Sequence, residues 1–231
     1  MSVIETDDVL TGQRRTSMTL GQAFAVFRHY PSPWVLTAMF IASAVTRIVI
    51  GGVSWGDPLV VLVALAAFPF FEWMVHVVIL HWRPRRIAGV RIDPLLSRKH
   101  REHHADPRDV PLIFIPWKSL FWMVPGYAAI GLFAFPDRAL GMTYLIVIAL
   151  LGINYEWVHF LVHSDYRPKT RFYRAIWRHH RWHHYKNEHY WFGVSTAGIS
   201  DKVLHTAPDV SAVQTSKTVR ALHAQEAGAA S

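Results

Sequence analysis

The stretch EWVHFLVH at residues 156–163 ends a long apolar block and places two histidines at its edge. A second stretch of the same kind, EWMVHVVILH at residues 72–81, ends another apolar block. A helix that crosses a bilayer needs about 20 apolar residues, and four blocks approach or exceed this length. The sequence therefore predicts an all-α integral membrane protein with about four transmembrane helices. The blocks cover residues 34–50, 59–81, 112–135 and 140–163.

The third block differs from the other three because polar and helix-breaking residues interrupt it. Proline and glycine break helices in water, but membranes tolerate them where neighbouring groups satisfy the freed backbone. We therefore expect a kinked or partly re-entrant span here. The interrupting residues are Pro116, Lys118, Pro125 and Gly126.

Positive charge is concentrated on one side of the predicted spans. Eight lysines and arginines lie between residues 82 and 111, ten lie between 164 and 220, and the link at 51–58 has none. By the positive-inside rule, this pattern predicts a multi-pass protein whose termini and histidine-rich site are cytoplasmic. An anionic leaflet explains the net charge of +8 better than nucleic acid does, so no nucleic-acid partner is expected.

The chain of 231 residues has the length of one domain. Residues 19–206 contain the apolar blocks and are predicted to form the membrane domain. Residues 1–18 and 207–231 lack aromatic side chains, so we expect a disordered N-terminus and a flexible C-terminal tail. The chain has no cysteine, which excludes disulfide frameworks, cysteine-ligated zinc and iron–sulfur clusters.

Most of the 15 histidines fall into four ordered groups. Two groups end the second and fourth apolar blocks, and each of the other two follows shortly afterwards in a predicted cytoplasmic segment. All ten side chains can therefore converge on one face of the membrane, which a random scatter would not allow. The groups are His76 and His81; His100, His103 and His104; His159 and His163; and His180, His183 and His184.

Helical spacing decides which of these histidines face the same way. His159 and His163 are four residues apart and differ by about 40° around a helix, so they share a face. His76 and His81 are five apart and diverge by about 140°, which requires a frayed helix end or two different metals. Adjacent histidines, as in RKHREHH and HHRWHH, point apart, and this suits two neighbouring metal ions better than one.

Ten imidazoles can supply four or five ligands to each of two ions and still leave room for O₂ or a substrate. Imidazole is a good ligand for iron, zinc, copper and nickel. Glu72, Glu156 and Asp165 are expected to orient these ligands by accepting the second ring N–H. One isolated pair would more often be structural, but four ordered groups on one side favour a metal site. The histidines outside the pattern are His29, His179, His189, His205 and His223, of which His179 and His189 lie near enough to support the ligands.

Other metal chemistries fit the sequence less well. The His-Glu-x-x-His motif of zinc proteases is absent. Glu156 and His159 form one Glu-x-x-His unit, but a ferritin-like bundle needs two such units and further glutamates. Two rival classes stay open, namely a metal transporter and a metal-dependent membrane lipid hydrolase. A transporter would place its ligands near the bilayer midplane, whereas these histidines lie at the helix ends and beyond.

The residues resemble the fatty acid hydroxylase/sterol desaturase superfamily. Its histidine pattern, H-x4-H, H-x2-HH, H-x3-H and H-x2-HH, is met by the four groups, and the likeness spans residues 72–206. The segment HHYKNEHYWFGVSTAGISDKVLHT at 183–206 is also similar to the family segment that follows the last histidine group. In it, WFGV at 191–194 precedes a turn with serine and threonine and then Asp201.

The resemblance implies a four-span fold with a cytosolic helical cap that holds a histidine-rich di-metal site. The ten histidines of the four groups would bind two iron ions, with zinc as the alternative metal in isolated protein, and O₂ would be the co-substrate. The implied enzyme is a monooxygenase-type oxidoreductase that hydroxylates or desaturates a membrane lipid such as a fatty acyl chain, sphingolipid or sterol. A carotenoid hydroxylase on the same scaffold is the alternative.

Some members of this superfamily include a fused cytochrome b5 domain. No such domain fits before the first apolar block of this sequence. We therefore expect an external electron donor, which could be a ferredoxin, a cytochrome or a reductase.

Overall fold

Helices make up most of residues 17–223, the part of the chain that this computed structural model describes. A small β-hairpin is the only sheet within these residues, and it pairs Arg86 with Arg91. In chain order the elements are α1 (Leu20–Phe27), α2 (Pro31–Ile50), α3 (Gly56–Met74) continuing into a π-helix (Val75–Leu80), β1 (Arg85–Ile87), β2 (Val90–Ile92), α4 (Leu95–Ala105), α5 (Val110–Ile113), α6 (Trp117–Phe133), α7 (Arg138–His163), α8 (Arg171–Tyr185), α9 (Ile199–Val203) and a 3₁₀ turn (Val210–Ala212).

Helix α7 lies at the centre and packs against α2, α3 and α6. Asp137 precedes its first turn and caps it, because the Asp137 side chain accepts a hydrogen bond from the Leu140 backbone N–H. Nearly every residue from 156 to 163 is buried, including both histidines of the EWVHFLVH stretch. The C-terminal ends of α3 and α7 meet α4 and α8, so these ends lie inside the protein.

Three helices are long and apolar enough to cross a membrane: α2, α3 with its π-helix, and α7. They correspond to the first, second and fourth predicted blocks. Many of their apolar side chains are exposed, as lipid-facing residues would be; Val49 is 80% exposed and Leu62 is 64% exposed. The chain is therefore compatible with an integral membrane protein.

The third predicted block is not one continuous helix. The short helix α5 ends at Ile113, residues 114–116 are extended or non-helical, and α6 begins after Pro116 and runs for 17 residues. Proline at this junction has no N–H to donate and disfavours helix in the residue before it. Pro125 lies inside α6, where the helix continues through it.

Helices α6 and α7 approach each other closely at two glycines. A Cβ atom added to Gly141 would lie 1.7 Å from the carbonyl oxygen of Gly131. No side chain other than hydrogen fits this crossing. Small residues at helix contacts allow the close backbone approach that stabilises helix pairs in membranes.

A charged cluster joins α2, α3 and α7 at the opposite end from the histidines. Arg47 lies within the first predicted span, and its guanidinium donates to the Asp57 carboxylate at 2.9 Å and to the Gly51 carbonyl at 2.7 Å. Thr143 of α7 donates to the same carboxylate at 2.6 Å. Because these charges are paired and hydrogen-bonded, they can lie in a mostly apolar surrounding.

The C-terminal segment is packed against the protein where the structure describes it. Within residues 207–223, part of the predicted flexible tail, Val219 and Leu222 are buried and the Ser216 N–H donates to the Lys186 carbonyl at 2.7 Å. Residues 224–231 lie outside the described residues. The same is true of residues 1–16, so most of the predicted disordered N-terminus is not described either.

Candidate metal centre

Ten buried or half-buried histidines form two adjoining clusters of five. Within each cluster, one ring nitrogen from every histidine lies within 4.8 Å of the corresponding nitrogens of the others. All ten predicted ligands are in these clusters, and none is left outside. Cluster A contains His76, His81, His100, His104 and His183, and cluster B contains His103, His159, His163, His180 and His184.

Helical geometry explains how neighbouring histidines reach different clusters. His103 and His104 are adjacent on α4 and point to clusters B and A respectively, and His183 and His184 on α8 divide in the same manner. Residues next to each other on a helix differ by about 100° in direction. The expected separation of adjacent histidines is therefore observed, and α4 and α8 each supply ligands on both sides.

The π-helix at the end of α3 resolves the unusual spacing of His76 and His81. The backbone N–H of His81 donates to the carbonyl of His76 at 3.0 Å, a bond that spans five residues. A π-helix closes its turn over five residues rather than four, so side chains five apart approach one another. Both histidines therefore lie in cluster A, where they face one candidate metal position rather than two.

Backbone carbonyls fix the orientation of four histidines. The Nδ1 atoms of His76, His104 and His183 lie 2.6, 3.1 and 2.8 Å from the carbonyl oxygens of Phe192, Val219 and Tyr190. His159 Nδ1 lies 2.9 Å from the Ile113 carbonyl. A carbonyl only accepts, so each Nδ1 must be protonated, and each Nε2 of the neutral ring presents a lone pair.

Facing lone pairs show that the clusters fit metal ions. The Nε2 atoms of His104 and His183 lie 3.1 Å apart, although both rings have their proton on Nδ1. Neither atom can then donate a hydrogen bond to the other. The two lone pairs repel at this distance, and a cation between them would turn the repulsion into coordination.

Protonation of the histidines is not an easy alternative to metal binding for relieving the repulsion between these lone pairs. Burial, together with neighbouring histidines, holds the pKa of His183 and His184 well below the ordinary value of 6.5. Burial and the neighbouring His76 lower the pKa of His104 to about 3. The rings are therefore neutral near pH 7, which is the form that binds metals.

The carboxylates that were expected to accept ring N–H bonds instead accept hydrogen bonds from other groups near the histidines. Glu156 accepts bonds from Ser32 Oγ at 2.6 Å and from the Ile115 N–H at 2.9 Å. It thereby holds the chain beside Ile113, whose carbonyl meets His159. Asp165 pairs with Arg108. Backbone carbonyls, rather than Glu72 or Glu156, face the Nδ1 atoms of His76, His104, His159 and His183.

Glu72 and Asp201 hold the loop that follows α8. Glu72 accepts from the Ser195 N–H and the Thr196 hydroxyl, both at 2.7 Å. Asp201 is fully buried and accepts from the backbone N–H groups of Phe192 and Gly193 at 2.9 and 2.7 Å. These bonds fix the position of the Phe192 carbonyl, which faces His76.

His179 supports the same loop and is not part of either cluster. Its Nε2 atom lies 2.8 Å from Asp201. Although burial opposes it, hydrogen bonds from His179 and Thr206 lower the pKa of the Asp201 carboxyl. This contact agrees with the expected supporting role of His179. The remaining histidines, His29, His189, His205 and His223, also lie outside the two clusters.

An apolar cavity of about 380 Å³ reaches cluster A from the side of the long helices. Its wall includes Phe68 and Met74 of α3, Ile130 of α6 and Leu151 of α7, and it ends beside His76. Among the described residues, α3 and α6 make no extensive contact, so the cavity lies along the seam between them. Its volume falls within the range of about 300–1,000 Å³ that is usual for small-molecule sites.

A second cavity of about 350 Å³ reaches cluster A at His81. Its lining is more polar and includes Arg83, Glu188, His189 and His223. The C-terminal segment forms part of this wall. Sequence patterns gave no sign of this cavity, because its residues come from three separate parts of the chain.

Comparisons with known proteins identify the family. Residues 61–206, more than half of the chain, match the family model for fatty acid hydroxylases. Among solved structures, full-length scs7p, in which only the hydroxylase domain is visible, superposes with a TM-score of 0.62 at 19% sequence identity. The match covers 80% of this chain and 70% of that one. A comparison with curated proteins finds no match. The resemblance drawn from the histidine pattern is confirmed.

Proposed function

Because the chain belongs to the fatty acid hydroxylase family, we propose that it is an O₂-dependent membrane lipid hydroxylase with an iron ion in each histidine cluster. The facing lone pairs of His104 and His183 are the observation that supports this most strongly. When bound, the two iron ions would supply the reduction of O₂ and the attack on an unactivated C–H bond. The ten clustered histidines would hold these two ions.

The protein supplies position and shelter for the reaction. The Phe192, Tyr190 and Val219 carbonyls keep three rings of cluster A in the tautomer that offers Nε2 to the ion. Nine of the ten clustered histidines are buried, which shelters most of both clusters from bulk water. His76 contributes both to cluster A and to the apolar cavity, so a substrate in the cavity reaches the ions at this residue.

The lining of the apolar cavity supports a hydrocarbon group, such as an acyl chain, as the reacting part of the substrate. On α3 and its π-helix the lining includes residues from Phe68 to Leu80, and almost all of its side chains are apolar. A cavity of about 380 Å³ with such a lining accommodates a hydrocarbon better than a polar group. The seam between α3 and α6 gives lipid a lateral entrance from the bilayer.

We further propose that α6 is the fourth span and that the clusters face the cytoplasm. Helix α6 is apolar along most of its length, and the break at residues 114–116 separates it from α5. The loop of residues 82–111 and the segment after α7 contain most of the positive charge, which favours the cytoplasmic side. Hydroxylation of a lipid with O₂ then requires two electrons per turnover. We propose that a cytoplasmic donor such as a ferredoxin, a cytochrome or a reductase supplies them.

The test is lipid analysis by mass spectrometry of cells that express the protein under ¹⁸O₂. A hydroxylase places one ¹⁸O atom in a single lipid class, and a desaturase instead removes two hydrogen atoms. The labelled position on an acyl chain, a sterol or a carotenoid identifies the substrate. The matched control is the His163→Ala variant, which should give no product.

The same experiment separates the rival classes. A metal-dependent hydrolase would cleave lipid equally well without O₂, and a metal transporter would leave the lipids unchanged while moving metal into proteoliposomes. Either result would contradict the proposed function.

A further inference from the structure

The two histidine clusters differ in how many of their rings are oriented by hydrogen bonds at Nδ1. In cluster A, three of five rings have their Nδ1 atom on a backbone carbonyl, and no buried Nδ1 atom lacks a hydrogen-bond partner among the described residues. In cluster B, only His159 has such a carbonyl. The buried Nδ1 atoms without a hydrogen-bond partner all belong to cluster B, and they are those of His103, His163, His180 and His184.

This difference has a direct consequence for metal affinity. A hydrogen bond to the second ring nitrogen fixes the tautomer and direction of a histidine ligand and increases its basicity, and its loss typically lowers metal affinity about 10- to 100-fold. We propose that the two clusters differ in metal affinity, an inference that rests on the proposed di-metal function. Cluster A binds its ion tightly, and cluster B binds its ion at least about tenfold more weakly.

The C-terminal segment is one physical cause of the tighter site. Glu188 is fully buried and accepts hydrogen bonds from the hydroxyls of Ser216 and Thr218. These bonds fix the chain immediately before Val219, whose carbonyl meets His104. Glu188 is therefore a positioning residue: it holds the segment whose Val219 carbonyl orients His104.

Zinc binding measures the inequality without any turnover. The purified full-length protein in nanodiscs is loaded with Zn²⁺ and equilibrated with a series of chelator buffers, and the bound metal is counted by mass spectrometry. Two classes of one ion each are expected, separated by a factor of about ten or more in affinity. Two ions that leave together would overturn the inference but not the di-metal site. Fewer than two ions at saturation would overturn the proposed function as well.

Adjacent histidines provide matched variants that assign each class to a cluster. His104→Ala and His103→Ala alter neighbouring positions on α4 but affect clusters A and B respectively. We expect His104→Ala to remove the tight class and His103→Ala to remove the weak one. His183→Ala and His184→Ala repeat the test on α8. The reverse assignment, or equal effects of both members of a pair, would overturn the inference.

The role of Glu188 has its own readout. Glu188→Ala should weaken the tight class at least about tenfold, leave the total at two ions, and remove the NMR signal of a hydrogen-bonded His104 Nδ1 proton. Glu188→Gln keeps one acceptor oxygen and should restore most of the affinity. Asp209→Ala, at an exposed position of the same segment, is the control.

A further variant guards against misfolding of the alanine variant. Thr218→Val removes one hydroxyl that Glu188 accepts and keeps the side-chain shape. It should weaken the tight class in the same direction. An unchanged tight class in folded Glu188→Ala and Thr218→Val protein would overturn the positioning role.

Discussion

At the scale of single residues, His163 shows why the clusters need all their members. Its Nε2 atom lies 3.2 Å from that of His103, inside cluster B. We predict that His163→Ala abolishes lipid oxidation and lowers bound metal by about one ion per chain, because one of five ligands is lost from a buried site. Metal analysis and lipid product analysis measure both effects.

The control for His163 is an exposed histidine outside the clusters. His29 is exposed at the end of α1, and its ring contacts only the Ala25 carbonyl among the contacts described. His29→Ala should change neither metal content nor product. Similar losses in both variants would contradict the assignment of the ligands.

We expect the buried Glu156 carboxylate to stabilise the protein more than a surface carboxylate does. Glu156→Ala leaves the Ser32 hydroxyl and the Ile115 N–H without an acceptor inside the protein, and each such buried donor costs about 1–3 kcal/mol. We predict a lower free energy of unfolding, measured by denaturant titration in micelles. Glu156→Gln should recover part of the loss, because one oxygen still accepts.

Glu102 is the surface control for the buried Glu156. It pairs with Lys99 on the surface of α4, and both side chains are about two-fifths exposed. Surface pairs contribute about 0–1 kcal/mol, so Glu102→Ala should have little effect on stability. A loss as large as that of Glu156→Ala would show that burial is not the cause.

The ligands could be predicted from sequence, but their orienting partners could not. A metal ligand must be one of a few residue types, so histidines at helical spacing are visible in the sequence. The carbonyls that face His76, His104, His159 and His183 belong to Phe192, Val219, Ile113 and Tyr190. Every residue has a carbonyl, and only the folded chain decides which one meets a ring.

At the scale of elements, the π-helix is a second feature that the sequence alone could not predict. The spacing of His76 and His81 correctly excludes a common face on a regular α-helix. It cannot indicate the π-turn, because no residue type marks one. The apolar blocks were visible because their composition alone determines membrane-spanning length. The break at residues 114–116 shows that a run of apolar residues does not fix helix continuity.

The contact between α6 and α7 depends on glycine. We predict that Gly141→Ala separates the two helices, because the added methyl group would meet the Gly131 carbonyl oxygen. The thermal unfolding midpoint should fall, and the wall of the apolar cavity should shift. Gly126→Ala is the control, because a Cβ atom at Gly126 has no neighbour within 4 Å. An equal fall in both variants would contradict a role for close packing.

At the scale of the whole molecule, the buried histidines link stability to pH. Burial and neighbouring histidines hold the pKa values of His100, His103, His180 and His184 well below 6.5. Above pH 6.5 neither the folded nor the unfolded chain protonates them, so pH has no effect through these groups. Below it, the unfolded chain takes up protons that the folded chain refuses, and the folded state loses stability.

We therefore predict that the metal-free protein becomes less stable as the pH falls from 7 to 5. Each histidine that stays neutral contributes a slope of about 1.4 kcal/mol per pH unit. Denaturant titrations at several pH values measure this slope. His184→Gln should reduce it, whereas His29→Gln should not. A stability that stays constant or rises on acidification would contradict the neutral clusters.

The C-terminal segment shows what composition hides at this scale. Residues 207–231 lack aromatic side chains and look flexible, yet Val219 and Leu222 are buried and the Val219 carbonyl meets His104. Order here comes from contacts with distant residues such as Glu188 rather than from local preference. Arg47 is similar, since its pairing with Asp57 and Thr143 depends on how three helices meet.

The central claim is that two neighbouring sets of five histidines each bind one metal ion. Anomalous X-ray diffraction at the iron edge, from crystals of the iron-loaded protein, tests it most directly. The account predicts two anomalous peaks, one among the Nε2 atoms of each cluster. A single peak, no peak, or iron bound elsewhere on the chain would contradict it.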